Sequence, residues 1–584
     1  MCGIIAITGR EAETIETKKI EAMLLCLLLR GPDDRGFDKF PGAVIGQTRL
    51  SIVDLVSGHQ PMRDNSKPLS IVFNGEIYGY KDLKTILQNK DHKFSTNSDT
   101  EVILKAYIEY GRECLKHIDG MFAFAIWDEH KKELFIARDR FGKKPFYYTF
   151  ANDTFYAASE IKSFFKANII KGEINPEAMD DYLRLLYIPP NKTIYKNVHV
   201  LLPGHAGIVK GGKLETWQYW NLEKQEINIS YEEAKTKIKQ LFDEAVKKRM
   251  AADVEIGTLL SGGIDSTLVT LYAQKYSKMP IKTFSVGYEG AKNELPFALE
   301  ASKKIGTDHY TLDVKADLVS ELEKIVEYMD EPHADSSNFP QHMISELAGS
   351  KVKVALSGDG ADELFMGYGW YQKHWHTPRW KLSRLFSNPF STYEKVIQVF
   401  NPEERSKLLK TKVISDINFE KQAVKGVSDP IHKINTYDLK VYLPGQLLSK
   451  IDRTSMIHSL EVRSPFLDTK LAEFVYNLPT EFKLSKDQNK IILKDLLSEV
   501  FPKEFVYRRK QGFGAPIELW LRDSKMKSFV NSFLESENKI YNFLNKTEII
   551  KIRDIFYSSA TNEKKYAQKL WSLLCLALWF QKHA

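Results

Sequence analysis

Leu259-Leu260-Ser261-Gly262-Gly263-Ile264-Asp265-Ser266 decides how the larger part of this chain folds. The apolar run Val254–Leu260 predicts a strand, and the periodicity of Asp265–Tyr276 predicts a helix. Two glycines at the junction let backbone N–H groups close on a phosphate at the positive end of that helix. Ser261 and Ser266 add hydroxyl donors, and Asp265 is placed to hold Mg²⁺, which a polyphosphate site requires. The stretch is not a Walker loop, because GxxxxGK followed by Ser or Thr is absent. By itself Ser-Gly-Gly is equally a plain turn between strand and helix.

A second loop has the same grammar. Val354-Ala355-Leu356-Ser357-Gly358-Asp359-Gly360-Ala361-Asp362-Glu363 again sets glycines and acids after an apolar strand. Between the loops the pattern alternates: strand Ile281–Val286, helix Glu294–Ile305, strand His309–Val314, helices near Leu318–Tyr328 and Phe339–Ala348, strand Val352–Leu356. That alternation predicts a doubly wound parallel sheet, in which ligands bind at the carboxyl ends of strands. Both loops then fall on one edge, and Asp265 and Asp362 become candidate partners for one or two Mg²⁺ ions; the other reading of the second loop is a turn with capping Asp residues. Beyond about residue 430 the pattern is mostly helical, which predicts an α/β domain with a helical C-terminal part.

Residues before 185 read differently. Gly3–Thr8, Ala43–Arg49, Leu69–Phe73, Met121–Trp127 and Glu133–Ala137 predict strands, with helices at Ile15–Leu29, Tyr80–Gln88 and Thr100–Tyr110 between them. Strands dominate and come in neighbouring pairs, the mark of an α+β layered domain. Pro189-Pro190, Pro203-Gly204 and Gly211-Gly212 punctuate the transition, and Tyr231–Met250 predicts a long charged helix. The expected division is a first domain over 1–205, a linker over 206–230 and a second domain over 231–584. A chain of 584 residues is long enough for two such units.

Composition narrows the classes. Hydrophobic residues are 43% and charged residues 27%, the range of a globular protein. The net charge is +7, but the signs alternate and the one tight basic cluster is Arg508-Arg509-Lys510, so a nucleic-acid partner is not expected. The four cysteines, Cys2, Cys26, Cys114 and Cys575, form no CxxC pair, and such sparse use suits the cytoplasm. Met23–Leu29 is too short to span a bilayer, and no signal-peptide pattern opens the chain, so no membrane partner is expected.

Cys2 directly follows the initiator Met. Removal of Met1 leaves Cys2 with a free α-amine close to its own thiol, so one residue supplies nucleophile and general base. Taken alone, Cys2 reads more readily as an incidental second residue. Phe73-Asn74-Gly75-Glu76 ends a strand with an amide side chain and a glycine N–H, two donors suited to an oxyanion hole; Asn-Gly is also a common turn. Arg49, in Gln47-Thr48-Arg49-Leu50-Ser51, offers a bidentate fork for a carboxylate. Asp99, in Ser98-Asp99-Thr100-Glu101, offers an anion for an ammonium and serves equally well as a cap for the helix beginning at Thr100.

Met1-Cys2-Gly3-Ile4-Ile5-Ala6 resembles the start of class II glutamine amidotransferases. Arg30-Gly31-Pro32-Asp33, Arg49-Leu50-Ser51-Ile52-Val53-Asp54, Asn74-Gly75-Glu76-Ile77-Tyr78, Ser98-Asp99-Thr100-Glu101 and Arg138-Asp139-Arg140-Phe141-Gly142 follow in that family's order. The resemblance implies an N-terminal-nucleophile fold of two stacked sheets between helical layers. It implies Cys2 as nucleophile, with Asn74 and Gly75 as oxyanion donors and a glutamine-binding set of Arg49, Ile52, Val53, Asn74, Gly75, Glu76 and Asp99. The two glycine loops resemble the ATP-pyrophosphatase domain. That likeness implies nucleotide contacts at Leu259, Ser261, Gly262, Gly263, Asp265, Ser266, Val286, Ser357 and Gly358, a metal at Asp265 and Asp362, and Asp359 forming or holding an acyl-adenylate.

Leu443-Pro444-Gly445, Leu448-Ser449-Lys450-Ile451-Asp452-Arg453 and Glu461-Val462-Arg463-Ser464-Pro465-Phe466-Leu467-Asp468 look like the asparagine synthetase family. Lys450 is the expected cation for charge developing on the phosphates, though an isolated lysine is also an ordinary surface charge. Lys510-Gln511-Gly512-Phe513-Gly514 is a candidate closing loop. The resemblance, which runs from residue 1 to about 525, implies ATP and Mg²⁺, with glutamine and aspartate as substrates; it leaves a homodimer open. Two departures stand out: Gly79 where the family often has Asn, and Asp359 where some members carry Glu. Three other readings remain open from sequence: an amidotransferase acting on a different carboxylate, such as a sugar, a peptidoglycan precursor or a peptide; a β-lactam-forming relative; and a non-catalytic sensor. An intact Cys2, Arg49, Asn74 and Asp99 argue against the second, and Asp265, Asp362 and Lys450 against the third.

Overall fold

The structure is a computed structural model that describes residues 1–288, 293–314, 317–376, 389–508, 514–558 and 563–583. Two antiparallel sheets open the chain. The first runs, in order, His199–Val200, Tyr147–Ala151, Thr154–Ala158, Gly3–Gly9, Ala43–Arg49 and Asp34–Phe40. The second runs Lys213–Gln218, His205–Lys210, Glu133–Arg138, Gly120–Asp128, Leu69–Ile77 and Met62–Arg63. Their facing sides form one core, in which Ile4, Ala6 and Ile45 meet Val72, Ala123, Ala125 and Ile136. Alternation along each strand sends these residues inward, and the alanines let the sheets approach closely. The hairpin His205–Gln218 falls, all but its first residue, in the stretch expected as a linker, 206–230, so the second sheet takes in the first half of that stretch.

Leu69–Ile77 reaches past the expected end at Phe73 and carries Asn74, Gly75 and Glu76 within the sheet. Gly75 has φ +154°, and a Cβ there would lie 2.0 Å from the Met121 carbonyl oxygen, so the close approach of Gly120–Asp128 excludes any side chain. The helix Asp99–Tyr110 is capped by Ser98, whose hydroxyl accepts from the Thr100 N–H. Asp99 is therefore released from the capping role.

The later half is built on a parallel sheet in the order Asp308–Val314, Lys282–Tyr288, Ile256–Leu259, Val354–Leu356 and Glu461–Arg463. The first three strands step outward one way and the last two the other. The reversal falls between Ile256–Leu259 and Val354–Leu356, and it is after these two strands that the glycine loops emerge. Helices surround the sheet and make up most of the chain beyond it. Among the described residues no helix is long and apolar enough to cross a membrane. Arg508 of the basic cluster stacks over Phe297 and Phe505, 4.2 and 4.4 Å from the ring centres, which occupies it within the protein. Arg509 and residues 510–513 of the candidate closing loop lie outside the described residues.

Candidate active sites

Cys2 precedes the central strand Gly3–Gly9 and is buried. Its backbone nitrogen donates to Asn74 Oδ1 at 3.1 Å. Asn74 is fully buried, and its Nδ2 has no hydrogen-bond partner among the described residues. A buried amide without an acceptor costs free energy, on the order of 1–3 kcal/mol, unless a ligand oxygen meets it. That is the donor an oxyanion beside Cys2 requires. Burial pushes the Cys2 thiol above its ordinary value, while the nearby chain-terminal ammonium, the Leu50 N–H and Arg49 pull against it.

Arg49 is half committed. Its Nη2 donates to the carbonyls of Val53 and Asp54 at 3.1 and 2.6 Å, which fixes the loop that also carries Ile52. Its Nη1 is buried with no partner among the described residues. Asp99 accepts from the Ile77 N–H at 2.9 Å, and burial raises its carboxyl to about 6. Glu76 is raised by burial as well, followed by the neighbouring Glu461 and Asp99. The sequence-expected set Arg49, Ile52, Val53, Asn74, Gly75, Glu76 and Asp99 thus converges on one end of the second sheet.

Sequence reasoning missed that the later half completes this pocket. Arg463 Nη2 is 3.6 Å from Glu76, and its Nε is 2.7 Å from Glu461. Glu461 in turn faces the Met1 ammonium at 3.4 Å. Met1, 2% exposed, fills the space between Cys2 and these acids. Its removal would open that space and turn the Cys2 nitrogen into an amine pointed at Asn74.

At the parallel sheet the two glycine loops touch. A Cβ on Gly358 would lie 2.8 Å from Asp265 Cβ and 3.0 Å from the Ser266 nitrogen. Ser261 and Ser266 hydroxyls lie 3.1 Å apart, and Ser261 Oγ accepts from the Gly263 N–H at 3.2 Å, so the first loop is held open by its own side chains. Leu259 and Val286 are buried in the same core, Leu259 lying across the sheet from Phe284, two residues before Val286. Asp359 accepts from Ser357 Oγ at 2.6 Å, and burial raises its carboxyl. Lys450 Nζ donates to Ser337 Oγ at 2.7 Å and lies 3.4 Å from Asp335. It is close enough to Asp359 to oppose that rise, so Lys450 belongs to this site and is not a surface charge.

A second lysine was not foreseen. Lys490 Nζ lies 2.5 Å from Asp265 and 2.6 Å from Asp362. Burial would lower its ammonium, but the two carboxylates hold the proton above the ordinary lysine value. Both acids therefore face one point, and a cation already stands there. Lys490 precedes the helix Ile491–Ser498, with φ +51°. A cation at a helix start opposes the helix dipole, and that misfit is the one signal in the sequence that marks it.

The family described as asparagine synthase matches residues 237–581, and that described as glutamine amidotransferase domain matches residues 1–220. "Asparagine synthetase [glutamine-hydrolyzing] 3" of Bacillus subtilis is 32% identical, covering 88% of this chain and 87% of its own. "Asparagine synthetase [glutamine-hydrolyzing] 1" of the same organism is 29% identical, covering 99% of this chain and 96% of its own. The "Amidase chry2" of Gibberella zeae is 28% identical over 89% of this chain and 90% of its own. With a matched region that spans more than half its length, the chain belongs to the asparagine synthase family.

Proposed function

We infer that the chain hydrolyses glutamine at Cys2 and passes the ammonia to aspartate activated by ATP, giving asparagine, glutamate, AMP and pyrophosphate. The observation that carries this reading is the shared wall: Glu461 and Arg463 close the Cys2 pocket from the strand next to the nucleotide loops. Ammonia freed at one site is thus released against the sheet that serves the other.

In the first half-reaction Cys2 Sγ attacks the glutamine amide carbon. The α-amine left by Met1 removal takes the thiol proton and returns it to the departing ammonia. Asn74 Nδ2 and the Gly75 N–H meet the oxyanion, Arg49 Nη1 takes the α-carboxylate, and Asp99 takes the ammonium. Water then splits the thioester to glutamate.

In the second, the aspartate β-carboxylate attacks the α-phosphorus and pyrophosphate leaves; ammonia attacks the acyl carbon and AMP leaves. The Ser261–Ser266 loop and Ser357-Gly358 hold the phosphates, with Leu259 and Val286 against the base. Lys450 and Lys490 supply the positive charge, and Asp359 holds the acyl-adenylate. Asp265 and Asp362 would hold Mg²⁺: two oxygen donors facing one point suit a hard cation that keeps phosphate ligands, and the ion would neutralise the leaving pyrophosphate. Lys490 must swing aside for it. The cytoplasm is the compartment this reading assigns, where Cys2, Cys26, Cys114 and Cys575 stay free.

The test is product analysis. Purified full chain with glutamine, Mg²⁺, ATP and aspartate is expected to give asparagine, AMP and pyrophosphate together. Brisk glutamate formation with no asparagine would sink the aspartate assignment.

A further inference from the structure

A buried group of charges lies between the two sites, and neither half-reaction uses it. Arg30 is 1% exposed, and all three of its nitrogens are engaged. Nε donates to the carbonyl of Cys2 at 3.2 Å. Nη1 and Nη2 form a fork onto Asp452 at 2.7 and 3.1 Å, and Nη1 also lies 3.0 Å from Glu160. Arg453 answers in the opposite direction, 3.1 Å from Glu160 and 3.1 Å from Asp330. Lys144 adds a contact to Asp452 at 3.3 Å. Ion pairs therefore cross between the halves in opposite senses: Arg30 and Lys144 reach Asp452, and Arg453 reaches Glu160.

Asp452 and Arg453 sit on the helix Ser449–Met456, which also carries Lys450. Lys450 and Asp452 are about 3 Å apart along that helix axis. One side chain of a single short helix is held by Ser337 and Asp335 at the nucleotide site, and another holds the arginine on the nucleophile's own carbonyl. A fork fixes orientation as well as distance, and burial keeps solvent ions from loosening it.

We propose that Arg30 and Asp452 are positioning residues that couple the two sites: a movement of the Lys450 helix when ATP and aspartate engage it is delivered through the Arg30–Asp452 fork to the backbone of Cys2. This rests on the reading that Cys2 and Lys450 serve the two half-reactions. Coupling between binding sites is reciprocal, so glutamine must change nucleotide affinity by the factor by which nucleotide changes glutamine affinity.

The test uses full-length Cys2→Ala protein, which binds glutamine without consuming it. Glutamine is titrated calorimetrically with and without saturating aspartate, Mg²⁺ and α,β-methylene-ATP, which cannot be split at the α–β bond. Glutamine affinity is expected to change by about fivefold or more, and the reverse titration should give the same factor. Adding Arg30→Lys, which keeps the charge but loses the fork and the Cys2 contact, should bring the factor below about twofold. Ammonia-driven asparagine synthesis by that protein should stay within about threefold, a check that its fold is intact. Asp452→Asn breaks the same fork from the other side and decides the matter should Arg30→Lys fail to fold. A factor unchanged by either variant overturns the proposal. So does a wild-type glutaminase rate and KM indifferent to nucleotide and aspartate, a measurement that needs no variant. Failure of the underlying reading looks different: Cys2→Ala protein would still make asparagine from glutamine.

Discussion

The two sites hold their polar groups in opposite ways. Around Cys2 they stand half used: Asn74 keeps Nδ2 and Arg49 keeps Nη1 without a partner among the described residues. Around the glycine loops the charges are committed to one another, Lys490 to Asp265 and Asp362, and Lys450 to Asp335 and Ser337. The first arrangement is a mould with its donors already aimed, which suits a neutral amide that acquires charge only in the transition state. The second is a closed set of counter-ions that a highly charged ligand must reorganise. ATP carries its own charge into the site, so exposed carboxylates and ammoniums awaiting it would be costly to bury unpaired.

That contrast can be broken site by site. Cys2→Ala should lower glutamine-dependent synthesis by about 10⁴-fold or more, with ammonia-driven synthesis retained, read as asparagine formed from glutamine against ammonium salts. If glutamine still serves, the nucleophile is elsewhere. Lys490→Ala should cost about 10³-fold with either nitrogen source and leave glutamine hydrolysis without ATP unchanged. The same variant leaves Asp265 and Asp362 facing each other, so Mg²⁺ should bind it more tightly than wild type in the absence of nucleotide. Equal Mg²⁺ affinity would show that the lysine is not a placeholder.

The smallest effect is in pH. On the proposed reading Asp99 receives the glutamine ammonium only when ionised, and its carboxyl is raised to about 6, above its ordinary value. Glutamine binding is therefore present above that pH and lost as pH falls through it. The KM for glutamine should rise about tenfold per unit below about pH 6, with ammonia-driven synthesis at constant free ammonia showing no such step. An Asp99→Asn variant should be flat over that range.

Much of both sites was legible because their chemistry is local in sequence. Ser261-Gly262-Gly263 places backbone donors at a strand end and Asn74-Gly75 places them within a strand, and in both a glycine stands next to the group it serves. The alternation that predicted the parallel sheet also fixed which edge the loops share. What was hidden depends on distance or on charge inside the core. Glu461–Arg463 is a strand whose outer residues are both charged and fully buried, so no hydrophobic alternation betrays it. Lys490 lies in Lys486-Asp487-Gln488-Asn489-Lys490, which reads as a solvated turn until the fold brings it 225 residues back to Asp265. Asp34–Phe40, an edge strand with a polar face, was passed over for the same reason that edges are polar.

The strand Glu461–Arg463 has a further consequence. It is the margin of one half's sheet and the lining of the other half's pocket, so neither half has a complete boundary of its own. The joint is a set of buried ion pairs, among them Arg463 with Glu76, Arg30 with Asp452 and Arg453 with Glu160, so each half completes the other. A change of partner for either half would have to bring its own counterpart to Glu76 and to Arg30.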